Sequence, residues 1–478
     1  MEINDLTSKI PANVLEIVKT LESKGFEAYL VGGCVRDLFM GNTPKDWDIT
    51  TNATPEQIQS SFPRTFYENS FGTVGVVSSE TGDPDIDVVE VTPYRIEGKY
   101  SDKRHPDEVR FTQNIAEDLA RRDFTVNSMA YSSTKGELID LYGGVRDIET
   151  KTLRAVGSPK DRMSEDALRI LRAIRFSGQL GFALDADLST VLHETATLLQ
   201  NISPERIRDE FSKLIESKGA VQALEMARVL GILKQFLPEL EDGYGIEQNG
   251  DHIYDVWEHN IRAFAHSMDR EWPLHVKLGA LFHDIGKPAT RQWSEEKKDW
   301  TFYGHDVVGA RITAKIMARL HFGADLSDMV VKFVRYHLFF SDIEKITLSA
   351  VRRIVKNMGG DSVWDLMKIR ACDRIGMGRP KEIPYRLRKY EAMIEEAMRD
   401  PISVGMLKIN GEDLMGELHM KPGPKIGSML HALLEEVLED PKKNTREYLV
   451  SHATSLANLS DTELKALGDA GKSKKDNE

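Results

Sequence analysis

Two aspartates one residue apart, Asp46 and Asp48, stand in the run Asp46-Trp47-Asp48-Ile49-Thr50, which reads as a strand. On a strand they share a face, while Trp47 and Ile49 turn to the other. Neighbouring carboxylates repel, and a divalent cation removes that conflict; Mg²⁺ takes carboxylate oxygens together with substrate phosphates. Upstream, Leu30-Val31-Gly32-Gly33-Cys34-Val35-Arg36-Asp37 reads as a strand, a glycine turn and a helix start. Such a turn lets backbone approach a ligand, and a phosphate is the natural guest. A two-metal phosphoryl-transfer site asks for a third carboxylate from a neighbouring strand. Ile86 to Thr92 offers Asp87 and Glu90, which face opposite ways on a regular strand, so one of them can join.

Three further sets have chemical potential. Arg121-Arg122-Asp123-Phe124-Thr125-Val126-Asn127 follows the acidic Glu117-Asp118. Paired arginines suit the bidentate geometry of phosphate, and Asn127 could reach a ribose hydroxyl; the bland meaning is a surface ion-pair face. Ser164 to Gly178 reads as one helix with an apolar stripe of Ala167, Ile170, Leu171 and Ile174. Asp166 and Arg169 would be neighbours on another face, with Arg172 and Arg175 continuing a basic row. An acceptor beside a donor matches the Watson–Crick edges of cytosine and adenine and rejects those of uracil and guanine. Finally, His259, His283-Asp284, His305, His337 and Asp373 supply nitrogen and oxygen ligands for one or two metals.

The elements that must position these groups alternate between helix and strand up to about residue 95. Val14, Ile17, Val18 and Leu21 recur at helical spacing; Phe26–Val31, Val74–Val77 and Glu137–Leu141 read as strands, and Val35–Met40 as a short helix. Residues 93–109 are polar and read as a mobile loop. From Ile115 the pattern is mostly helical, with a glycine-rich linker at 241–250 and a loop at 421–425. The chain has 478 residues, enough for about three domains. With 63 Lys and Arg against 76 Asp and Glu, the net charge of −13 argues against coating nucleic acid by bulk charge. Local basic stretches remain: residues 350–390 hold eleven Lys and Arg against four Asp and Glu, including Arg352, Arg353, Arg370, Arg374 and Arg386, and residues 144–178 hold eight against five. Two cysteines cannot build a disulfide framework. No apolar run reaches the ~18 residues of a membrane span, and 1–21 lacks the apolar core of a signal peptide. A cytoplasmic protein with no membrane partner is expected.

VGGCVRDLFMG, KDWDIT, RRDFTVNSMAY and SEDALRILRAIRFSGQLGF resemble, in order and spacing, the bacterial class II tRNA nucleotidyltransferases, which comprise the CCA-adding enzymes and the bacterial poly(A) polymerases. The resemblance covers about residues 28–240. It implies an α+β fold: a nucleotidyltransferase head with a small mixed sheet (1–145), then an all-α neck for nucleotide and RNA recognition (146–240), body and tail. It implies Mg²⁺ at Asp46, Asp48 and Glu90, the last because EVTPYR at 90–95 is similar to the strand carrying the family's third carboxylate. It further implies a phosphate turn at Gly32, Gly33 and Arg36, a ribose and triphosphate grip at Arg121, Arg122, Asp123 and Asn127, and a base reader at Asp166 and Arg169, extended by Arg172 and Arg175. The loop at 95–110 corresponds to the family's specificity switch, and Ile202 to Phe211 to its neck.

Residues 251–375 resemble an HD-superfamily phosphohydrolase domain, with His259, His283, Asp284 and Asp373 matching the core ligands, and His305 and His337 the extra ligands of two-metal versions. A divalent transition metal is expected there; a helical tail at 376–478 completes the chain. The activity implied is CTP/ATP:tRNA nucleotidyl transfer adding CCA without a nucleic-acid template, with ATP, CTP and tRNA as partners and phosphatase or phosphodiesterase activity at the HD site. The same residues also fit a CC-adding, A-adding or poly(A)-forming enzyme, or a protein that works mainly as an HD phosphohydrolase.

Overall fold

Val14, Ile17, Val18 and Leu21 are all buried on one face of α1 (Ala12–Ser23), which the 3.6-residue period dictates. That face meets a mixed sheet. The computed structural model describes residues 6–67, 72–77, 88–98, 109–250, 253–338 and 346–473. The chain divides into two units, Met1–Glu241 and Asp242–Glu478. In the first, the strands are β1 (Ala28–Val31), β2 (Asp48–Thr51), β3 (Thr65–Tyr67), β4 (Val74–Val77), β5 (Val88–Pro93), the short β6 (Arg95–Glu97) and β7 (Val109–Phe111), then β8 (Met129–Ser132) and β9 (Glu137–Asp140). Among the described residues the main sheet has seven strands in the order β3-β4-β5-β2-β1-β8-β9. Its β2–β5 pair is parallel and its other pairs are antiparallel. Helices α2 (Gly33–Phe39) and α3 (Pro55–Ser61) join α1 in one core, where Val18, Leu38 and Ile58 meet Ile49, Val76 and Val89.

The rest of this unit is mostly helical: α4 (Ile115–Ala120), α5 (Gly144–Glu149), α6 (Pro159–Glu165), α7 (Leu168–Leu180), α8 (Ala186–Thr195), α9 (Pro204–Ile215), α10 (Ala220–Val229) and the short α11 (Pro238–Glu241). A two-residue parallel pair, β10 (Thr152–Leu153) with β11 (Ala183–Leu184), is set among them. Gly178 on α7 meets Gly219, just before α10, backbone to backbone: a Cβ on Gly178 would lie 2.8 Å from the Gly219 carbonyl oxygen.

The second unit is helical apart from a hairpin, β12 (Gln292–Ser294) with β13 (Asp299–Thr301). Its helices are α12 (Val256–Asp269), α13 (Leu274–Phe282), the short α14 (Lys287–Thr290), α15 (His305–Arg319), α16 (Ala324–Tyr336), α17 (Leu348–Met358) and α18 (Ser362–Gly376). They continue as α19 (Tyr385–Ala397), α20 (Gly411–Leu418), α21 (Pro424–Glu439), α22 (Arg446–Leu456) and α23 (Asp461–Ser473). Two apolar cores sit here, one centred on Phe333, Leu366 and Tyr390, the other on Leu414, Leu433 and Leu449. No described helix is long and apolar enough to cross a membrane.

Several expectations change. The loop expected over 93–109 has a paired stem, because Arg95–Glu97 hydrogen-bonds to Val109–Phe111; residues 99–108 lie outside the described residues. Met129–Ser132, taken as part of a helical region, is a strand between β1 and β9, and its residues are buried on both faces, which hides the period-2 signal. The start of the basic stretch 350–390 is neutralised within its own unit. Arg352 bonds Asp400 at 2.7 Å, Arg353 bonds Glu435 at 3.0 Å and Glu439 at 2.8 Å, and Lys356 bonds Glu435 at 2.6 Å. Arg370 pairs with Asp373, and Arg374 donates to the Lys381 carbonyl at 2.7 Å. Their acidic partners lie mostly far along the chain, so a local count overstates the positive surface.

Candidate active site and metal centre

Gly32 caps α2 with φ +82° and ψ −132°, a conformation closed to ordinary side chains. A Cβ there would also lie 3.1 Å from Arg122 Nη1, 3.7 Å from Asp48 Oδ2 and 3.9 Å from the Asn127 carbonyl oxygen. One backbone position therefore meets two further segments singled out in the sequence, the Asp46–Thr50 run and the Arg121–Asn127 run. Asp48 opens β2, and the parallel pairing sets it directly beside Glu90 on β5. Partners in register project from the same face of a sheet, so these two carboxylates stand side by side. Asp87, the other candidate, lies outside the described residues. Asp46 does not share the strand as expected: β2 begins at Asp48, and Asp46 is exposed in the bend before it. Among the described residues, Asp46, Asp48 and Glu90 do not bring their oxygens within 4.8 Å of one another. Behind them the Cys34 thiol is buried, and that burial, followed by the charges of Asp48 and Asp46, pushes it up to about 12.

Arg36 does not point outward as a phosphate ligand. It is buried, donates to Asn127 Oδ1 at 2.6 Å and to Asp37 Oδ1 at 2.9 Å, and lies 5.4 Å from the Phe176 ring centre. Asn127 Nδ2 in turn donates to Asp123 Oδ1 at 3.2 Å. Arg172 grips Asp123 Oδ2 through Nε at 3.0 Å and Nη2 at 2.6 Å. Burial raises the Asp123 carboxyl, but the charge and hydrogen bond of Arg172, with Arg169 and Asn127, outweigh it and hold it at about 2. Gly33 begins α2 within 3.6 Å of Arg36 Nη2, measured from its Cβ position.

The expected row of Arg169, Arg172 and Arg175 is not an open basic face. Arg175 is buried, bonds Glu210 Oε2 at 2.6 Å, and stacks 4.0 Å over Phe176; Arg172 also reaches Glu210 Oε1 at 3.4 Å. A buried guanidinium without a carboxylate would be costly, and Glu210 on α9 supplies one. Asp166 and Arg169 are likewise not partners on one helix. The helix breaks between them: Asp166 follows α6, and its carboxylate accepts the Leu168 N–H at 3.1 Å, an aspartate's usual preference for a helix start. Arg206 on α9 then holds Asp166 at 2.8 and 3.2 Å, while Glu165 holds Arg169 at 2.7 Å. Each of the two candidate readers is oriented by its own partner.

Sequence reasoning did not single out Asp118, Glu165, Arg206 or Glu210 for these roles. Fully buried Asp118 accepts from Arg121 at 2.7 and 3.0 Å and from Arg122 at 3.3 Å. The acidic residues before the arginine pair were its visible signal.

In the second unit His259, His283, Asp284, His305, His337 and Asp373 are all buried. They form two ligand groupings within 4.8 Å, His259–His283–Asp284–Asp373 and Asp284–His305–His337, sharing Asp284. Asp284 Oδ2 lies 3.0 Å from His259 Nε2 and 3.3 Å from His283 Nε2; its Oδ1 lies 3.1 Å from His305 Nε2 and 3.3 Å from His337 Nε2. Asp373 Oδ1 is 3.3 Å from His259 Nε2. The Nδ1 atoms of His283, His305 and His337 face the carbonyls of Ala280, Phe302 and Val334 at 2.8, 2.6 and 2.7 Å. That arrangement makes Nδ1 the protonated nitrogen and leaves Nε2 as the donor atom for a metal. Two glycines allow the close approach. A Cβ on Gly286 would meet Gly309 N at 2.5 Å, and one on Gly376 would meet His259 Nδ1 at 3.0 Å.

The electrostatics favour a cation. Burial opposes charge on His283, yet Asp284 and Asp373 raise it to about 10; burial, despite Asp284, lowers His337 to about 4. Against burial, Lys287 and His283 hold Asp284, and Arg370 with the histidines holds Asp373, well below the usual carboxylate range. Among the described residues the buried Nε2 atoms of His305 and His337 face Asp284 without a hydrogen-bond donor or acceptor in bonding geometry, as metal-facing nitrogens require. Mixed imidazole and carboxylate ligands suit a divalent ion. The side-by-side Asp48 and Glu90, next to the space a Cβ would fill at Gly32, suit a divalent ion together with a phosphate.

Residues 28–154 match the model of the "Poly A polymerase head domain" family and 181–243 that of the "Probable RNA and SrmB- binding site of polymerase A". Residues 250–379 match the HD domain, and 387–453 match tRNA nucleotidyltransferase domain 2. A CCA-adding enzyme of Geobacillus sp. is 44% identical over 229 residues, 48% of this chain and 55% of that protein, so in this alignment the chain spans about half of the relative's length. The CCA-adding enzyme of Lactobacillus delbrueckii subsp. bulgaricus is 40% identical over 440 residues, 92% of this chain and 96% of its own. The crystal structure of the Bacillus stearothermophilus CCA-adding enzyme in complex with CTP superposes with a TM-score of 0.68 at 25% identity, covering 93% of this chain and 97% of that one. Similar along nearly its whole length to such relatives, and with a nucleotidyltransferase head built on a mixed sheet, the chain belongs to the CCA-adding enzyme family of tRNA nucleotidyltransferases.

Proposed function

We propose that this chain adds CCA to the 3′ end of tRNA from CTP and ATP, without a nucleic-acid template, releasing pyrophosphate. The observation that carries the proposal is Asp48 in register with Glu90 beside the Gly32 turn. In this reading Asp48, Glu90 and Asp46 hold Mg²⁺, and Gly32 and Gly33 give the triphosphate room. Arg121 and Arg122, aimed by Asp118, meet its charge. Arg36 orients Asn127, and Arg172, anchored with Arg175 on Glu210, orients Asp123 toward the ribose. Asp166 and Arg169, each fixed by its partner, present an acceptor and donors to the incoming base. Divalent ions held by these carboxylates would lower the pKa of the RNA 3′-hydroxyl and offset the charge leaving with pyrophosphate. The protein's own contribution is to hold hydroxyl, α-phosphate and base in line.

We assign 1–145 to catalysis, 146–240 to nucleotide and RNA recognition, 251–375 to the metal centre and 376–478 to a helical tail, and place the enzyme in the cytoplasm with its substrates. The test is polymerisation on tRNA transcripts ending before CCA, before CA and before A, with wild type beside Asp46→Ala plus Asp48→Ala. Stepwise C, C, A addition that then stops, and is lost in the variant, supports the reading. Addition of only C, only A or a long A tail assigns a narrower transferase.

A second reading is favoured by the buried imidazole and carboxylate cluster. We propose that it is a phosphohydrolase centre for a divalent transition metal, acting on phosphate esters. Phosphate release that needs added metal and is lost in His283→Ala, with tRNA extension intact, tests it.

A further inference from the structure

Between Lys287 and His305 the chain leaves the metal centre and returns to it. Lys287 Nζ lies 2.6 Å from Asp284 Oδ2, and His305 Nε2 lies 3.1 Å from Asp284 Oδ1. The excursion holds the β12–β13 hairpin, flanked on both sides by residues that contact the one Asp284 carboxylate. Its register pairs Trp293 with Trp300, whose rings meet edge to face at 5.3 Å. The Arg291 guanidinium lies 3.7 Å over the Trp300 ring. Two residues beyond Trp300, the Phe302 ring lies 5.7 Å from Lys287 Nζ, so an aromatic and cationic row runs from Asp284 to the hairpin.

These tryptophans do not serve the interior. Neither joins the two apolar cores of the unit, and Trp293 is 50% exposed. An indole held rigid by a second indole and a guanidinium is a surface on which a planar base stacks. Lys287 and the cluster would meet the phosphate of the same ligand. Glu295, Glu296 and Asp299 balance the hairpin's Arg291, Lys297 and Lys298, so stacking rather than bulk charge must supply the attraction.

We propose that the hairpin is a nucleobase platform for the metal centre: Trp293, backed by Trp300 and Arg291, stacks on the base of a nucleotide or RNA end whose phosphate enters the cluster. The proposal rests on the phosphohydrolase reading and narrows its substrates to base-bearing phosphate esters. In the reaction water adds to phosphorus, the bond from phosphorus to the ester oxygen breaks, and the departing alcohol takes a proton.

The experiment compares adenosine 5′-monophosphate with ribose 5-phosphate, which differ by the base alone, using the full chain with Mn²⁺. The KM for the nucleotide is expected to be about tenfold lower, within the range of one base–aromatic stack. Trp293→Ala should raise the nucleotide KM about tenfold and leave the sugar phosphate and kcat unchanged, with Trp293→Phe restoring most of the difference. Equal KM values in wild type, or parallel changes for both esters in Trp293→Ala, overturn the platform and leave the phosphohydrolase reading standing. If neither ester is hydrolysed, that reading fails for this class. Quenching of tryptophan fluorescence by the nucleotide, lost in Trp293→Ala, would still support the platform, and no quenching would overturn it.

Discussion

Asp48→Asn and Glu90→Gln each remove one carboxylate from the pair in register on β2 and β5. Either should lower CMP and AMP incorporation by about a hundredfold or more, some 3 kcal/mol in the transition state, with the melting temperature unchanged; full activity in both would refute their role. Gly32→Ala forces a side chain into a positive-φ turn and against Arg122. Strain of about 1–3 kcal/mol is expected, together with a rise in the KM for CTP and ATP, measured by steady-state incorporation. Asp123 gives a pH signature. Its folded-state carboxyl is held at about 2 against an ordinary 3.8. Its stabilisation is therefore complete above pH 4 and lost as pH falls toward 2, about 2 kcal/mol in all. A urea midpoint that falls across that window in wild type, with a smaller fall in Asp123→Asn, is the expected result. At this scale the sequence showed which residue types could do chemistry, since Asp46, Asp48 and Gly32 carry their meaning in local spacing and the histidines in their array with Asp284 and Asp373. It hid their partners, because Arg172 reaches back to Asp123 and Arg206 to Asp166 across 49 and 40 residues.

At the scale of elements, the apolar period placed α1 well, because it has one buried face, and short apolar runs bounded by glycine or polar residues placed β1 and β4. It failed at β8, which is buried on both faces, and at the break before α7, where the Asp166 carboxylate accepts the Leu168 N–H within an otherwise continuous helical pattern. The hairpin at 292–301 was also missed: Glu295, Glu296, Lys297 and Lys298 make its turn read as a charged helix face. The arginines of α7 show what their elements need. Glu210 on α9 joins α7 to α9 through Arg172 and Arg175. Glu210→Ala leaves Arg175 buried without its carboxylate, so a loss of about 3–5 kcal/mol is expected, read as a lower urea midpoint. Restoration by Arg175→Met in the same chain would show that the stranded charge, rather than lost packing, was the cause.

For the whole molecule, the proposed functions give the two units separate chemistry, and metal ought to distinguish them. Titrating Mn²⁺ into chelator-treated protein should raise the melting temperature of the unit holding the buried cluster, by about 3 kcal/mol of stabilisation at a hundredfold excess over the dissociation constant. The rise should vanish in Asp284→Ala, whose carboxylate serves both ligand groupings, and persist in part in His337→Ala, which serves one. A rise that is unaffected by Asp284→Ala would move the metal elsewhere. The division near residue 241 was visible as a glycine-rich linker with no strong periodicity. The neutralisation of Arg352, Arg353 and Lys356 was not, since their partners at Asp400, Glu435 and Glu439 come later in the chain.

The crossing of Gly178 and Gly219 has a consequence for how this chain can vary. With carbonyl and backbone already in contact, every single-base step away from glycine at either position adds atoms where none fit. To a lineage drifting under selection these are two shut doors facing each other, and opening one does not open the other. Saturation libraries screened for growth should therefore return glycine at both sites, while the helix surfaces a turn away accept broad substitution.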